Sequence, residues 1–448
     1  MYRLYLGMSK LIRQRRNIEL ALIIIVILIG NACLVLVELG VSESLHANVF
    51  IFAGIFYCAA IIMHTVIRFY AANAEPFIFP IALLLNSLGI AEIYRIDIEN
   101  KTSYGTKQII WSILSLLVAS VVIVTIRNYR VLQRYTYLLG LVSCALLLLP
   151  ILPGIGESVS GARIWIKLGG LSFQPGELVK ITLAIFFASY LYSHRETLIA
   201  KQSAKIFLSK IRNFAPIFSV WILCVLIIAV QRDLGTGVLY FALFIILTYL
   251  ALSRMRLLII GGVMLLAGTF FAARIMTYVG YRIDVWLNAF DQSVFERAFG
   301  GSYQLVQGIF GMAFGGLLGT GLGRGYPSIT PLPQSDYILA SLGEELGLAG
   351  FSLIMIMYMT IFFQAIKVAL EANDEFAKLL TAGLGCIIAV QVFIVAGGIT
   401  RVIPLTGLTA PFLASGGSSL FVNWIIVSLI IRISDNLRNS PALNEWKT

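Results

Sequence analysis

Histidine is nearly absent, with three residues in 448, and charge is scarce: Asp, Glu, Lys and Arg together make 12% of the chain, about half the share usual in soluble proteins. No histidine pair, no Ser–His pairing and no metal triad can be assembled from this sequence, which argues against hydrolysis by a triad or by zinc. The five cysteines, Cys33, Cys58, Cys144, Cys224 and Cys386, all fall inside apolar runs with no CxxC pair and no metal-ligand spacing. Neither a disulfide framework nor a cysteine metal site is expected. The chain is instead 59% hydrophobic, with a mean hydropathy of +0.91, and reads as a polytopic membrane protein.

A bilayer core takes about 20 mostly apolar residues per helix, and backbone groups in lipid must be satisfied within the span, so the spans are helical. The apolar runs predict an all-α fold of about 12 transmembrane helices, over 20–40, 47–68, 76–94, 106–126, 135–152, 177–193, 214–231, 236–253, 257–275, 342–366, 378–399 and 418–434. The first run follows the basic segment MYRLYLGMSKLIRQRRN, is long enough to span and precedes no small-residue cleavage site, so it is an uncleaved helix. No tandem repeat is visible. One integral domain is the simplest reading, with the first two helices, in 1–75, a candidate added module to a core over 76–448.

The net charge of +11 does not point to nucleic acid, because the basic residues sit in short loops between spans, where they report topology and anionic lipid headgroups. With the N-terminus in the cytoplasm, 21 of the 33 Lys and Arg residues fall on cytoplasmic segments, so both termini are expected there. The outer loops are then 41–46, 95–105, 153–176, 232–235, 276–341 and 400–417. The polar motifs gather on that outer face, most of them in the large extracytoplasmic loop 276–341 and around it.

In GARIWIKLGGLSFQPGELVK a tryptophan, Trp165, lies between Arg163 and Lys167, and Glu177 and Lys180 share a helix face at i and i+3. An ionisable pair at membrane depth needs a partner or a wet cavity, which makes it either a structural ion pair or part of a site. In QRDLGTG, Arg232 and Asp233 stand where one span ends and the next begins; Asp233 is a candidate ligand contact or a helix cap. GTGLGRG spaces four glycines around Arg324, a pattern that either forms an anion-binding concavity or a flexible turn, and it lacks the Lys-Ser/Thr of a nucleotide loop. In PLPQSDYILASLGEELG, Asp336 precedes a span as a cap or a reactive carboxylate, while Glu344 and Glu345 enter the apolar run itself. The stretch GGITRVIPLTGLTAPFLASGGSSL, with Arg401, reads as a re-entrant segment lining a cavity. Carboxylates and cations above an apolar bundle suit a substrate with an anionic head and a lipid tail.

GARIWI, FQPGELVK, DLGTG, SDYILASLGEELG and PLTGLTAPFLASGGSS, in this order, resemble the SEDS family (shape, elongation, division and sporulation; RodA, FtsW and SpoVE) over about residues 76–434. The resemblance implies a ten-helix core, so the first two helices are additions, as in some actinobacterial-type members. It implies a peptidoglycan glycosyltransferase of the bacterial cytoplasmic membrane that polymerises lipid II on the outer face, in cell elongation or division, with a class B penicillin-binding protein as partner. Asp336 matches the family's essential aspartate and becomes the expected catalytic group, as general base or as holder of a divalent cation, magnesium or manganese, against the diphosphate. No nucleotide or organic cofactor is expected. Arg163, Trp165, Glu177, Lys180, Asp233, Arg324 and Arg401 are the expected substrate-binding residues. Two departures concern substrate positioning: Ser415 stands where the family commonly has an aromatic residue, and Arg232 where proline is frequent. A lipid II flippase is the competing reading, and would place comparable polar groups on both faces or along a channel; a scaffold would tolerate loss of Asp336.

Overall fold

The computed structural model describes residues 2–159, 161–168, 171–199 and 204–439. Of the basic residues that set the expected topology, Lys201 and Lys447 lie outside the described residues. The chain runs through α1 (Tyr2–Val41), α2 (Ala47–Tyr70), α3 (Ile78–Asn100), α4 (Tyr104–Thr125), α5 (Thr136–Leu148), α6 (Pro175–Ile199), α7 (Ala204–Gln231), α8 (Leu234–Leu252) and α9 (Met255–Ile275). Three short helices, α10 (Thr277–Leu287), α11 (Gln292–Phe295) and α12 (Tyr303–Gly315), occupy the long loop before α13 (Ile338–Glu371), α14 (Glu375–Ile399) and α15 (Gly417–Arg438).

Among the described residues, eleven helical stretches are long and apolar enough to cross a membrane, against the twelve expected. The difference is α6, which carries the span expected over 177–193. It is 25 residues long, but Glu177 and Lys180 at one end and His194, Arg195 and Glu196 at the other lower its apolarity. It tolerates them because it is wrapped by α5, α7, α8 and α14 rather than by lipid. A second departure from an all-helical chain is a three-stranded antiparallel sheet in the 153–176 loop, β1 (Gly156–Val159), β2 (Ala162–Leu168) and β3 (Leu171–Phe173), with Ile166 paired to Gly156 on one side and Phe173 on the other.

Burial separates the centre of the bundle from its rim. About four fifths of the apolar window is buried in α3, α14 and α15, against 6% in α9. The pair α1 and α2 packs on α3 and α4 and shares their apolar core. At the face opposite the long loop, buried charges are tied to one another, as membrane depth requires. Arg438 reaches Glu75 at 2.6 Å, Asn73 N–H donates to Asp435 at 2.9 Å, and Arg16 donates to Glu19 and to the Ala74 carbonyl, each at 2.5 Å. The start of α1, the link into α3 and the end of α15 therefore meet at one face.

Residues 400–416 form no helix, and their carbonyls are taken up by side chains from the surrounding spans. Gln108 donates to Ala414 O at 3.0 Å, Gln391 to Thr409 O at 2.7 Å, Arg282 to Leu405 O at 3.0 Å, and Tyr358 to Pro411 O. Irregular backbone among membrane helices persists when its polar groups are satisfied in this way.

Candidate active site

The glycine-rich stretch and the acidic start of α13 are two halves of one structure. At Gly347 the backbone turns to φ 67° and ψ −172°, breaking the α13 ladder. The chain that precedes Asp336 crosses at this break: Leu348 N–H bonds Gly316 O at 2.9 Å, and Thr320 and Gly321 N–H bond the carbonyls of Glu344 and Glu345 at 3.1 and 2.9 Å. A side chain on Gly319 would come within 2.2 Å of the Glu345 carbonyl oxygen, so the crossing needs glycine there.

The N–H groups of the glycine loop do converge on an anion, but it is the protein's own. Gly323 and Gly325 donate to the Glu345 carboxylate at 2.9 and 3.3 Å, and Tyr326 N–H donates to Glu344 at 2.6 Å. Arg95 on α3 closes the arrangement, with its Nε 2.7 Å from Glu345 and a hydrogen bond to Gly325 O. The expected phosphate concavity is therefore filled by internal carboxylates, and Arg324 is left exposed on the loop, outside that nest.

Asp336 is not a helix cap. The residue at the cap of α13 is Tyr337, with no side-chain hydrogen bond. Asp336 is half-buried beside Gly407 of the irregular segment, and the guanidinium of Arg282 is there too: Asp336 Oδ2 and Arg282 Nη2 lie 3.5 and 3.7 Å from the position a Gly407 side chain would take. Burial pushes the Asp336 carboxyl up to about 6, helped by the nearby Asp233, while Arg282 and Ser335 act in the opposite sense. Asp233 caps α8 by accepting from Thr236 N–H at 3.1 Å and also accepts from Gln174, just after β3, at 3.4 Å. Burial raises its carboxyl as well, with Arg282 among the groups that counter it. Arg282 thus acts electrostatically on both carboxylates while it donates to the Leu405 carbonyl. Sequence reading missed it because YRID in α10 matches no motif; only its place in the long outer loop marked it.

The other expected site residues divide. Lys180 bonds Glu177 at 2.5 Å and Gln391 Oε1 at 2.9 Å, all three away from solvent or nearly so. Because Gln391 in turn holds Thr409 O, this pair supports the irregular segment from below. Arg163 is exposed and Trp165 half-buried on β2, next to the Lys167–Glu157 ion pair at 2.6 Å. Arg401 is taken up by the backbone: it donates to the carbonyls of Trp286 and Leu287 at 2.7 and 2.8 Å and stacks on Phe290, which fastens the end of α10 to the irregular segment.

An apolar cavity of about 320 Å³ opens between α7, α8 and α9, lined by Trp221, Phe241 and Met264 and ending at Asp233 and Tyr278. Its walls suit a hydrocarbon chain and its polar end lies one helical turn of α10 from Arg282. Among the described residues no three His, Cys, Asp or Glu side chains come together as metal ligands; a divalent ion here would rest on Asp336 together with the substrate's phosphates, and the cation beside Asp336 is the Arg282 guanidinium.

Five comparisons bear on this geometry. The peptidoglycan glycosyltransferase RodA of Mycobacterium tuberculosis is 36% identical over 437 residues, covering 95% of this chain and 91% of the relative. Stage V sporulation protein E of Bacillus subtilis is 30% identical over 363 residues, covering 79% of this chain and 95% of its own. The solved structure of Thermus thermophilus RodA superposes with a TM-score of 0.57 at 20% identity, and a chain of a peptidoglycan synthase complex with 0.65 at 20%; each covers 82% of this chain. At that identity the two structures show a shared fold, that of a multi-pass membrane protein. A family model described as cell cycle protein matches residues 76–439, from the residue before the start of α3 by two positions to the end of α15, and the chain belongs to this FtsW, RodA and SpoVE family, the SEDS proteins.

Proposed function

We propose that the chain is a peptidoglycan glycosyltransferase that polymerises lipid II, with Asp336 as general base. The observation that carries this reading is the juxtaposition beside Gly407 of a half-buried carboxylate that caps no helix, Asp336, and the Arg282 guanidinium, with an apolar cavity that reaches Asp233 and Tyr278, one helical turn of α10 before Arg282. A lipid-linked sugar diphosphate has this same division, an apolar tail and an anionic head. It is supported by the names of the relatives, and the loop face is then extracytoplasmic, with both termini in the cytoplasm.

In the reaction a sugar hydroxyl of one lipid II molecule attacks the anomeric carbon of the growing strand. The new C–O bond forms as the bond to the polyprenyl diphosphate breaks, and the hydroxyl proton passes to Asp336. Negative charge grows on the departing diphosphate, and Arg282 is the cation placed to stabilise it. Trp165 offers a ring face for a sugar. A class B penicillin-binding protein would cross-link the product as partner, in line with the synthase complex whose chain shares this fold.

Purified protein given lipid II, alone and with a class B penicillin-binding protein, is expected to yield glycan strands; none in either mixture would overturn the reading. Arg282→Gln should lower kcat by about 100-fold, the scale of losing one group that stabilises transition-state charge, and Arg282→Lys should keep part of the rate. Equal rates for Arg282→Gln and the unaltered protein would remove Arg282 from the reaction.

The pH dependence follows from the burial of Asp336. A base acts when ionised, so activity should fall as the pH drops through about 6. The stability linkage has the opposite sign. A carboxyl raised above its unfolded value favours the fold below that value, and the contribution is lost as pH rises through about 6. Titration of Asp336 therefore cannot unfold the protein on the acid side, and a rate profile with no acid limb near 6, measured where the fold is intact, would count against it as the base.

A further inference from the structure

The first of the two helices that precede the family-matched region touches the loop that leads to Asp336, and it does so backbone to backbone. A side chain on Gly40, at the end of α1, would come within 2.9 Å of the Leu322 carbonyl oxygen and 3.1 Å of Gly323 Cα. Reciprocally, a side chain on Gly323, whose φ is +79°, would meet Val37 O at 3.1 Å and Gly40 Cα at 3.2 Å. Two glycines facing each other allow a helix and a loop to approach this closely. Val37, one turn earlier, is fully buried.

A second connection runs beside the first. Glu38 on α1 is completely buried; it accepts from Tyr94 on α3 and lies 2.8 Å from His46 Nδ1, the residue before α2. Tyr94 precedes Arg95, and Arg95 holds both Glu345 and the Gly325 carbonyl. The glycine loop is thereby held from three sides, by α13 through Glu344 and Glu345, by α3 through Arg95, and by α1 through Gly40. Ten residues further along the same strand of chain from Tyr326 stands Asp336.

We infer that the N-terminal helix pair is a positioning element for the catalytic loop, with Gly40 and Glu38 as its contact residues, and that it acts on turnover rather than on substrate binding. This rests on the polymerase reading above. It gives α1 and α2 a task beyond membrane anchoring in this chain. The M. tuberculosis relative matches 95% of this chain, and so extends into the helix pair, while the family model begins at residue 76, after it. The buttress is accordingly an addition to the family core and not a condition of it.

The test compares Gly40→Leu, Gly40→Ala and Gly54→Leu in the full-length protein. Gly54 on α2 has nothing within 4 Å of its side-chain position and serves as the control. Hydrogen–deuterium exchange of amides 319–326 is measured first, because it reads the loop whether or not the protein is active. Exchange there should quicken in Gly40→Leu and, less, in Gly40→Ala, with amides in α14 unchanged, and with Gly54→Leu like the unaltered protein. In lipid II polymerisation, Gly40→Leu should lower kcat by about tenfold or more with KM within about twofold, as expected when a reacting group is displaced but the substrate site is kept. Glu38→Gln, which retains an acceptor for Tyr94, should retain more activity than Glu38→Ala, and this pair decides the matter if Gly40→Leu does not fold. Unchanged loop exchange and unchanged kcat in Gly40→Leu would overturn the inference. Quickened exchange together with an unaltered protein that makes no glycan would leave the buttress standing and remove the polymerase reading instead.

Discussion

Replacement of Asp336 by Asn should reduce glycan synthesis by about 10²- to 10⁴-fold, the usual contribution of a positioned general base, while leaving the fold intact. The substitution keeps the size of the side chain and removes its ability to take a proton. Fold retention follows from the same environment that raises the carboxyl. Burial opposes the charge on Asp336 and Asp233 adds to that opposition, so an uncharged amide relieves a cost at neutral pH. Nor is a helix end lost, since α13 is capped at Tyr337 without a side-chain bond. The measurement is strand formation from lipid II beside a thermal melt in the same detergent. A variant that melts normally and makes no strands places the chemistry at Asp336. One that makes strands at the ordinary rate would return Asp336 to a structural part and shift weight to a flippase or a scaffold.

The membrane spans were legible because their signal, a run of about 20 apolar residues, is local. The exception is instructive: α6 carries charges that a lipid-facing helix would not, and only its neighbours explain them. Glu177 and Lys180 were visible at i and i+3, yet their partner Gln391 lies 211 residues from Lys180, beyond any spacing rule. The glycine loop reads from sequence as either an anion-binding concavity or a flexible turn; its amides do converge on an anion, but the sequence does not say that Glu344 and Glu345 fold back to supply it. Arg401 and Arg282 show the same limit from opposite sides. Both are single arginines in loops and both bond backbone carbonyls, but Arg282 also lies beside Asp336 at Gly407, a distinction set by tertiary contact alone. The small sheet at 156–173 was hidden by its glycines, which read as turns.

The largest stability effect is expected at Glu345, which has no exposed surface. Its carboxylate is shared between Arg95 and the N–H groups of Gly323 and Gly325. Glu345→Ala would leave a buried guanidinium without its principal counter-charge and two amide donors without an acceptor, and removal of one partner of a buried ion pair costs about 3–5 kcal/mol. Glu345→Gln keeps an acceptor for the amides and loses only the charge, so its loss should be smaller. A third carboxylate, Glu92 on α3, crowds the same place: it is fully buried and sits against Glu345 and near Arg95. Arg95 already serves Glu345 and Glu99, so Glu92→Gln removes an acid crowded against Glu345 and keeps a donor for it, and should leave stability unchanged or raise it. Two acidic residues on facing helices, replaced one at a time, are thus expected to move the melting temperature in unlike directions. If both replacements destabilise equally, Arg95 is not the organising cation. If Glu345→Ala melts like the unaltered protein, the glycine loop is held by its backbone crossing at Gly347 and not by the carboxylate, and the path from α3 to the Asp336 loop through Arg95 would carry no weight.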